Sequence, residues 1–400
     1  MGSCLSGISP MVIKSSKPPN HSSTIMENQT SDDRLTLPYF AGGDDYSLTF
    51  HSCVTPPVAI HLKPTTPRLQ ILSPFYSGII PAEVRFLIFS YVLTPTPIPD
   101  AQYYPNTNYT RPGFTCRTKL HVSLLRTCRR IYLETYHLPP TSISHVFWHE
   151  RYPPSRTPNT EHRYFSRLPD YQLALVKSIH LHTQLYWLQD SFPGLTFQPF
   201  LQNITSLKIT IRRGDWWWNE RNEPLAINPC RGDADIFQMR QEMERSRRGE
   251  TSNWLAGKWG TALTHMSKLE VFEMEFETSE DKREELRVIV GWARTWEFPM
   301  GERGVLSTRK STDPRVRELG DVKTWEWRGE KVHWSDICPY CIGNTCHRTG
   351  PEEGKIGDKC RERKELMERK KGPMLVVMEL EWKLRARPER GEEEVVERGR

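Results

Sequence analysis

"ITSLKITIRR", residues 204–213, alternates Leu207, Ile209 and Ile211 against Ser206, Lys208 and Thr210. Successive side chains of a strand point to opposite faces, so this period of two predicts a β-strand with one oily and one polar face. Its neighbours in sequence carry the same signature. "LALVKSIHLH" (173–182) ends as a strand offering Val176, Ile179 and Leu181 to a core. "KLEVFEMEFE" (268–277) alternates through Leu269 and Val271, then through Met274 and Phe276 after an irregularity. "SHVFWHE" (144–150) reads as a short strand. Each run follows a loop or a helix-compatible stretch, and strands separated by crossovers build a parallel or mixed sheet. "SEDKREELRVIVGWARTWEF" (279–298) follows as a helix with Leu286, Ile289, Val290, Ala293 and Trp296 on one face. Thr278 and Asp281 suit its capping box.

Beyond this helix the chain becomes charged. Residues 301–323 read as a connector. "KTWEWRGEKVHW" (323–334) sets Arg328, Gly329 and Glu330 between two aromatic runs, a hairpin signal. "GPMLVVMELEWKL" (372–384) is the apolar exception in the charged tail and reads as a final strand returning to the sheet from far away. At the other end, residues 1–68 are rich in Ser, Thr and Pro without hydrophobic periodicity, the composition of a disordered region. The fold class is therefore α+β, in four regions. Residues 1–68 are disordered and 69–150 helical. Residues 151–300 hold an irregular mixed sheet with packed helices, and 301–400 a charged region with hairpin, cysteines and return strand.

Composition limits the ordered mass. Hydrophobic residues make up 37% and prolines number 31, both pointing away from a fully globular chain. The net charge of +6 is mild for this length and no basic motif accompanies it, so nucleic acid is not an expected partner. Nine cysteines, mostly isolated, suit a reducing compartment, cytosol or nucleus.

"IIPAEVRFLIFSYVL" (79–93) reads as a helix with Pro81 in its first turn and Glu83 at the positive end of its dipole. At helical spacing Val84, Leu87, Ile88, Tyr91 and Val92 make one core-facing stripe, and Phe86, Phe89 and Leu93 a second oily face. Residues 94–118 read as loop. A second helix spans about 119–138, with Leu124, Leu125, Cys128, Ile131, Tyr132 and Thr135 on one stripe and Pro139-Pro140 ending it.

The first of these helices resembles the opening of an F-box through Ile80, Pro81, Glu83, Ile88 or Phe89, and Tyr91. The second, "LLRTCRRIYLET", resembles the later segment of fungal F-box-like proteins through Leu125, Cys128, Arg129, Ile131, Tyr132 and Glu134. The pair in order resembles a large group of fungal proteins with a domain of unknown function, over residues 69–150. The resemblance implies a substrate receptor of a cullin-type ubiquitin ligase. It would bind a Skp-family adaptor through Pro81, Phe86, Phe89 and Leu93 and capture a protein substrate with the rest of the chain. The alternative is a scaffold whose F-box-like helix belongs to its own core. The strand series resembles leucine-rich repeats, but its spacing is too uneven for a regular solenoid.

Four further motifs carry chemistry. "CPYCIGNTCHRTG" (338–350) sets Cys338 and Cys341 at metal-knuckle spacing, with Cys346 or His347 as a third ligand and Cys360 or His333 as a fourth, a set suited to a structural zinc. "MGSCLS" fits acylation at Gly2, with Cys4 as a second lipid site that would tether the amino terminus to a membrane. Trp216, Trp217 and Trp218 follow a strand, and alternation brings at least one to the surface. His180 and His182 share a strand face without an evident third ligand. No phosphate loop, nucleophile elbow or zinc-protease motif is present, so an enzyme is not expected, nor any cofactor besides that zinc.

Overall fold

The computed structural model describes residues 67–103, 109–153, 160–231, 235–250, 252–310, 318–329 and 372–386. Gly2, Cys4, the expected disordered region up to residue 66, and the cysteines and histidines between 333 and 360 lie outside the described residues. So does the second arm of the expected hairpin.

The described part is a mixed α+β structure around an eight-stranded mixed sheet. The described elements open with helix α1 (Ala82–Val92) and a two-stranded ribbon, β1 (Thr96–Gln102) and β2 (Cys116–Lys119). The ribbon occupies the stretch expected to be loop; its pairing shifts register between Pro97 and Gln102, at a strand that lacks two amide donors. Helix α2 (Arg129–Thr135) follows. Four parallel neighbours come next in sequence order: β3 (Ser144–Trp148), β4 (Ser178–His182), β5 (Ser206–Ile211) and β6 (Val271–Ser279). Helix α3 (Ile236–Arg247) lies in the last crossover and α4 (Arg283–Ala293) follows β6. Short strands β7 (Glu297–Pro299) and β8 (Val305–Ser307), then β9 (Lys323–Arg328), lead to β10 (Met374–Arg385).

β10 is the expected return strand. It pairs antiparallel with β6 along its length, and its other edge takes β9 at one end and β8 at the other. Val305–Ser307 thus turns part of the expected connector into sheet. Among the described residues β9 pairs with β10, with Arg328 opposite Met374.

One face of this sheet is apolar. Ile179, Leu181, Leu207, Ile209, Ile211, Phe272, Met274, Phe276, Val376, Met378, Leu380 and Trp382 are all buried in one cluster, which α4 covers with Leu286, Ile289, Val290 and Ala293. Strand β6 needs no irregularity. Phe272, Met274 and Phe276 form its inward set, and Val271 shares the opposite face with Glu273, Glu275 and Glu277. Aromatic rings fill the far end, where Trp296 stacks on Trp382 at 6.0 Å and accepts its indole N–H at the backbone oxygen (3.2 Å). Helix α4 starts from Lys282 without a side-chain cap, because Thr278 is buried inside β6.

The opposite face is polar, and it is also buried at its centre. His180 and His182 of β4, Lys208 and Thr210 of β5, Glu275 and Glu277 of β6, and Glu379 of β10 lie side by side in the ladder. A segment before β2 closes over them. Its Arg111 pairs with Glu275 and lies 3.4 Å from Glu277, and its Phe114 meets the rings of Trp148, His180 and His182 edge-on.

Candidate docking surface

Helix α1 and helix α2 make a second, smaller core of Phe89, Leu93, Ile131 and Leu138, with Phe75, Tyr76, Ile88, Leu124, Leu125 and Cys128 packed around it. The expected single helix over 119–138 is broken. A short 3₁₀ turn, Val122–Arg126, ends where the Thr127 hydroxyl bonds back to the Leu124 carbonyl at 2.7 Å, and Cys128 is extended before α2 begins. Pro139 and Pro140 do not simply end a helix. They occupy the first turn of a further one, Leu138–Ser142, where a missing N–H costs nothing.

A polar brace sets the rotation of α1. Glu134 on α2 accepts bonds from Arg85 Nε (3.1 Å), the Tyr76 hydroxyl (3.1 Å) and Arg130 Nε (3.4 Å). Arg85 also donates to the Phe75 carbonyl at 2.9 Å, and the Arg130 guanidinium lies 3.9 Å from the centre of the Tyr76 ring. Burial, and then the negative charge of Glu134, push the Tyr76 hydroxyl above its ordinary range, so it remains a donor. With Arg85 held inward, Phe89 and Leu93 follow it one and two turns later.

The two faces of α1 are therefore exchanged in part from expectation, with Ile88 keeping its expected place against the core. Phe89 and Leu93, expected to dock a partner, are 2% and 0% exposed. Leu87 and Tyr91, expected in the core, are 66% and 83% exposed, and Val84 and Val92 are exposed with them. Of the expected docking residues, Pro81 and Phe86 stay on the surface, Phe86 at 48%. The approach to the helix adds exposed Leu69, Ile71, Leu72 and Ile79. Scattered surface apolar residues are ordinary, whereas an apolar face on one helix is the usual mark of an interaction site.

The polar face of the sheet is the other concentration of chemistry. Lys208 Nζ lies 2.9 Å from Glu275, Trp325 Nε1 donates to Glu379 (2.9 Å) and Trp327 Nε1 to Glu277 (3.2 Å). Burial pushes Glu275 up, but Arg111 and Lys208 outweigh it and hold the carboxylate below its usual range. His180 bonds Thr210 at 2.8 Å, and burial takes its imidazole down to about 3. His182 stacks on Trp148 at 3.8 Å and is likewise held neutral, by burial and then by His180 and Arg111. Both rings are shut away from solvent, and no group of three His, Cys, Asp or Glu among the described residues could hold a metal. The network pairs Arg111 and Lys208 with the carboxylates of the sheet and fixes the covering segment.

The tryptophan run lies in a turn and does not alternate, though one of the three does reach the surface. Trp216 is buried and donates to the Glu277 carbonyl at 2.8 Å, Trp217 is half-buried and donates to Gln189 at 2.9 Å, and Trp218 is exposed under the Arg221 guanidinium. Trp218 has φ 53°, an uncommon conformation for a bulky side chain. Cys116, Cys128 and Cys230 are free thiols, and burial pushes Cys230 up to about 12.

Compared with family models, curated proteins and solved structures, the chain matches none of them. No helix among the described residues is long and apolar enough to cross a membrane.

Proposed function

We propose that this chain is an interaction protein in which a Skp-family adaptor docks on the outward face of α1, and the sheet body captures a protein for a cullin-type ubiquitin ligase. The observation that carries the proposal is the apolar face of Val84, Leu87 and Tyr91, with Phe86 beside it, on a helix whose other face is already satisfied by its own core. An amphipathic helix buries one stripe; a second apolar stripe left outside is a liability unless a partner covers it. The F-box-like residues Pro81, Glu83 and Tyr91 lie on the surface, where a partner could meet them.

A second reading has its own support. Phe89 and Leu93 are core, as they would be in a scaffold that has absorbed its F-box-like helix. Co-purification separates the two. Wild-type protein should retain a Skp-family adaptor, and Leu87→Asp with Tyr91→Asp should lose it while keeping the wild-type circular dichroism. A wild-type protein that never retains the adaptor ends the ligase reading and leaves the scaffold.

A further inference from the structure

A groove of about 270 Å³ runs beside β3, lined by all of residues 143–148 and by Tyr103, Phe114, Cys116 and Tyr164. β3 is an edge strand. Its described ladder partner is β4 alone, in parallel register from Ser144–Ser178 to Trp148–His182. The bond from the His149 N–H to the His182 carbonyl fixes the phase of that ladder. In an extended strand a residue's N–H and C=O point the same way and alternate from residue to residue. Odd-numbered residues of β3 therefore turn to β4, and Ser144, Val146 and Trp148 turn theirs to the groove. None of these outward groups has a backbone partner among the described residues.

Exposed strand edges invite pairing, and folded proteins blunt them with charges, prolines or bulges. β3 carries none of these: its sequence is Ser-His-Val-Phe-Trp, and no Asp, Glu, Lys or Arg lines the groove. The one titratable ring on the edge, His145, is held by Tyr164 and the Pro140 carbonyl at 3.0 and 3.2 Å, and burial lowers its pKa so that it stays neutral. The walls are aromatic on both sides of the edge. Phe114 stands against Trp148 at 5.5 Å on one, and Tyr164 against Phe147 at 5.7 Å on the other.

We propose that this groove binds an extended, uncharged peptide segment of a partner protein, which adds to the sheet as a further strand beside β3. Main-chain bonds to Ser144 and Val146 would supply affinity, since Trp148 at the end of the strand is already buried. The two aromatic walls would select alternating apolar side chains, and the uncharged lining would reject acidic and basic ones, because burying a charge without a partner is costly. The proposal stands whether or not an adaptor docks on α1.

The test is fluorescence anisotropy on the full chain with labelled Ser-Val-Thr-Val-Ser-Val-Thr. Saturable binding is expected, weakened at least tenfold when every internal amide of the peptide is N-methylated and when each Val is replaced by Glu. Val146→Pro removes an amide that faces the groove, a position where an edge strand tolerates proline, so the variant should fold and bind at least tenfold more weakly. Should it fail to fold, the N-methylated peptide still decides. The proposal is overturned by no binding to the wild type or by equal binding of the N-methylated peptide. It is also overturned by binding that appears only after residues 1–66 are removed, which would make the occupant this chain's own segment. A dimer that Val146→Pro dissolves would make it a second copy.

Discussion

Arg111→Met tests the logic of the buried polar face. Arg111 is 3% exposed and lies between two carboxylates that are equally buried. Its removal does not strip them equally. Glu275 keeps Lys208 at 2.9 Å. Glu277 keeps two neutral donors, the Arg213 amide at 3.2 Å and the Trp327 indole at 3.2 Å. Removing one partner of a buried ion pair costs about 3–5 kcal/mol because a charge is left uncompensated. With Lys208 still serving one carboxylate, about 3 kcal/mol of lost stability is expected. Glu277→Gln in the same chain should restore about 2 kcal/mol of it, since the amide oxygen still accepts from Trp327 and Arg213 while the stranded charge is gone. Urea unfolding at pH 7 followed by tryptophan fluorescence reads both numbers. Arg111→Met within 0.5 kcal/mol of wild type (about the scatter of neutral surface changes), or no recovery in the double variant, would refute the argument.

Two further outcomes follow from burial. Phe89→Ala should destabilise the helical unit by about 3–4 kcal/mol, as large-to-small core changes do, and Phe86→Ala by less than about 1 kcal/mol, measured as amide exchange across α1; equal effects would contradict the rotation of α1. Glu161 is buried, and burial pushes its carboxyl up to about 7, with His149 Nε2 3.8 Å away. A raised folded pKa means that the native state holds the proton more tightly. The contribution is full below about 4.5 and is lost as pH rises through about 7. Glu161→Gln should therefore gain stability relative to wild type between pH 5 and 8, by up to about 3 kcal/mol at the top of that range, in thermal melts across pH; a pH-independent difference would show that Glu161 does not titrate there.

The sheet was legible where period two runs unbroken. Leu207, Ile209 and Ile211 name the inner face of β5, because burial on one face favours alternation, and the apolar run from Met374, buried on both faces, names β10. The start of β6 misled because Leu269 is buried just before the strand and Val271 lies on its polar face, mimicking a phase that Phe272, Met274 and Phe276 do not share. Helix α1 existed in the sequence, but its rotation did not. Both stripes are apolar, and what decides between them is Glu134, 49 residues from the Arg85 it holds. Periodicity cannot see such a long-range polar contact. The Arg111 plug was invisible for the same reason: residues 94–118 look like loop, and a lone arginine gains its meaning only from two glutamates 164 or more residues on. The edge of β3 left no signal, since sequence does not say which strand ends a sheet.

The central claim, that the outward face of α1 meets an adaptor, is tested most directly by site-specific photo-crosslinking. p-Benzoylphenylalanine placed singly at Leu87, Tyr91 and the exposed Val288 of α4 is irradiated in a mixture of the full chain with purified Skp-family adaptor. Adducts to the adaptor from Leu87 and Tyr91, and none from Val288, are predicted. No adduct from either α1 position, or adducts equally abundant from Val288, would contradict the account.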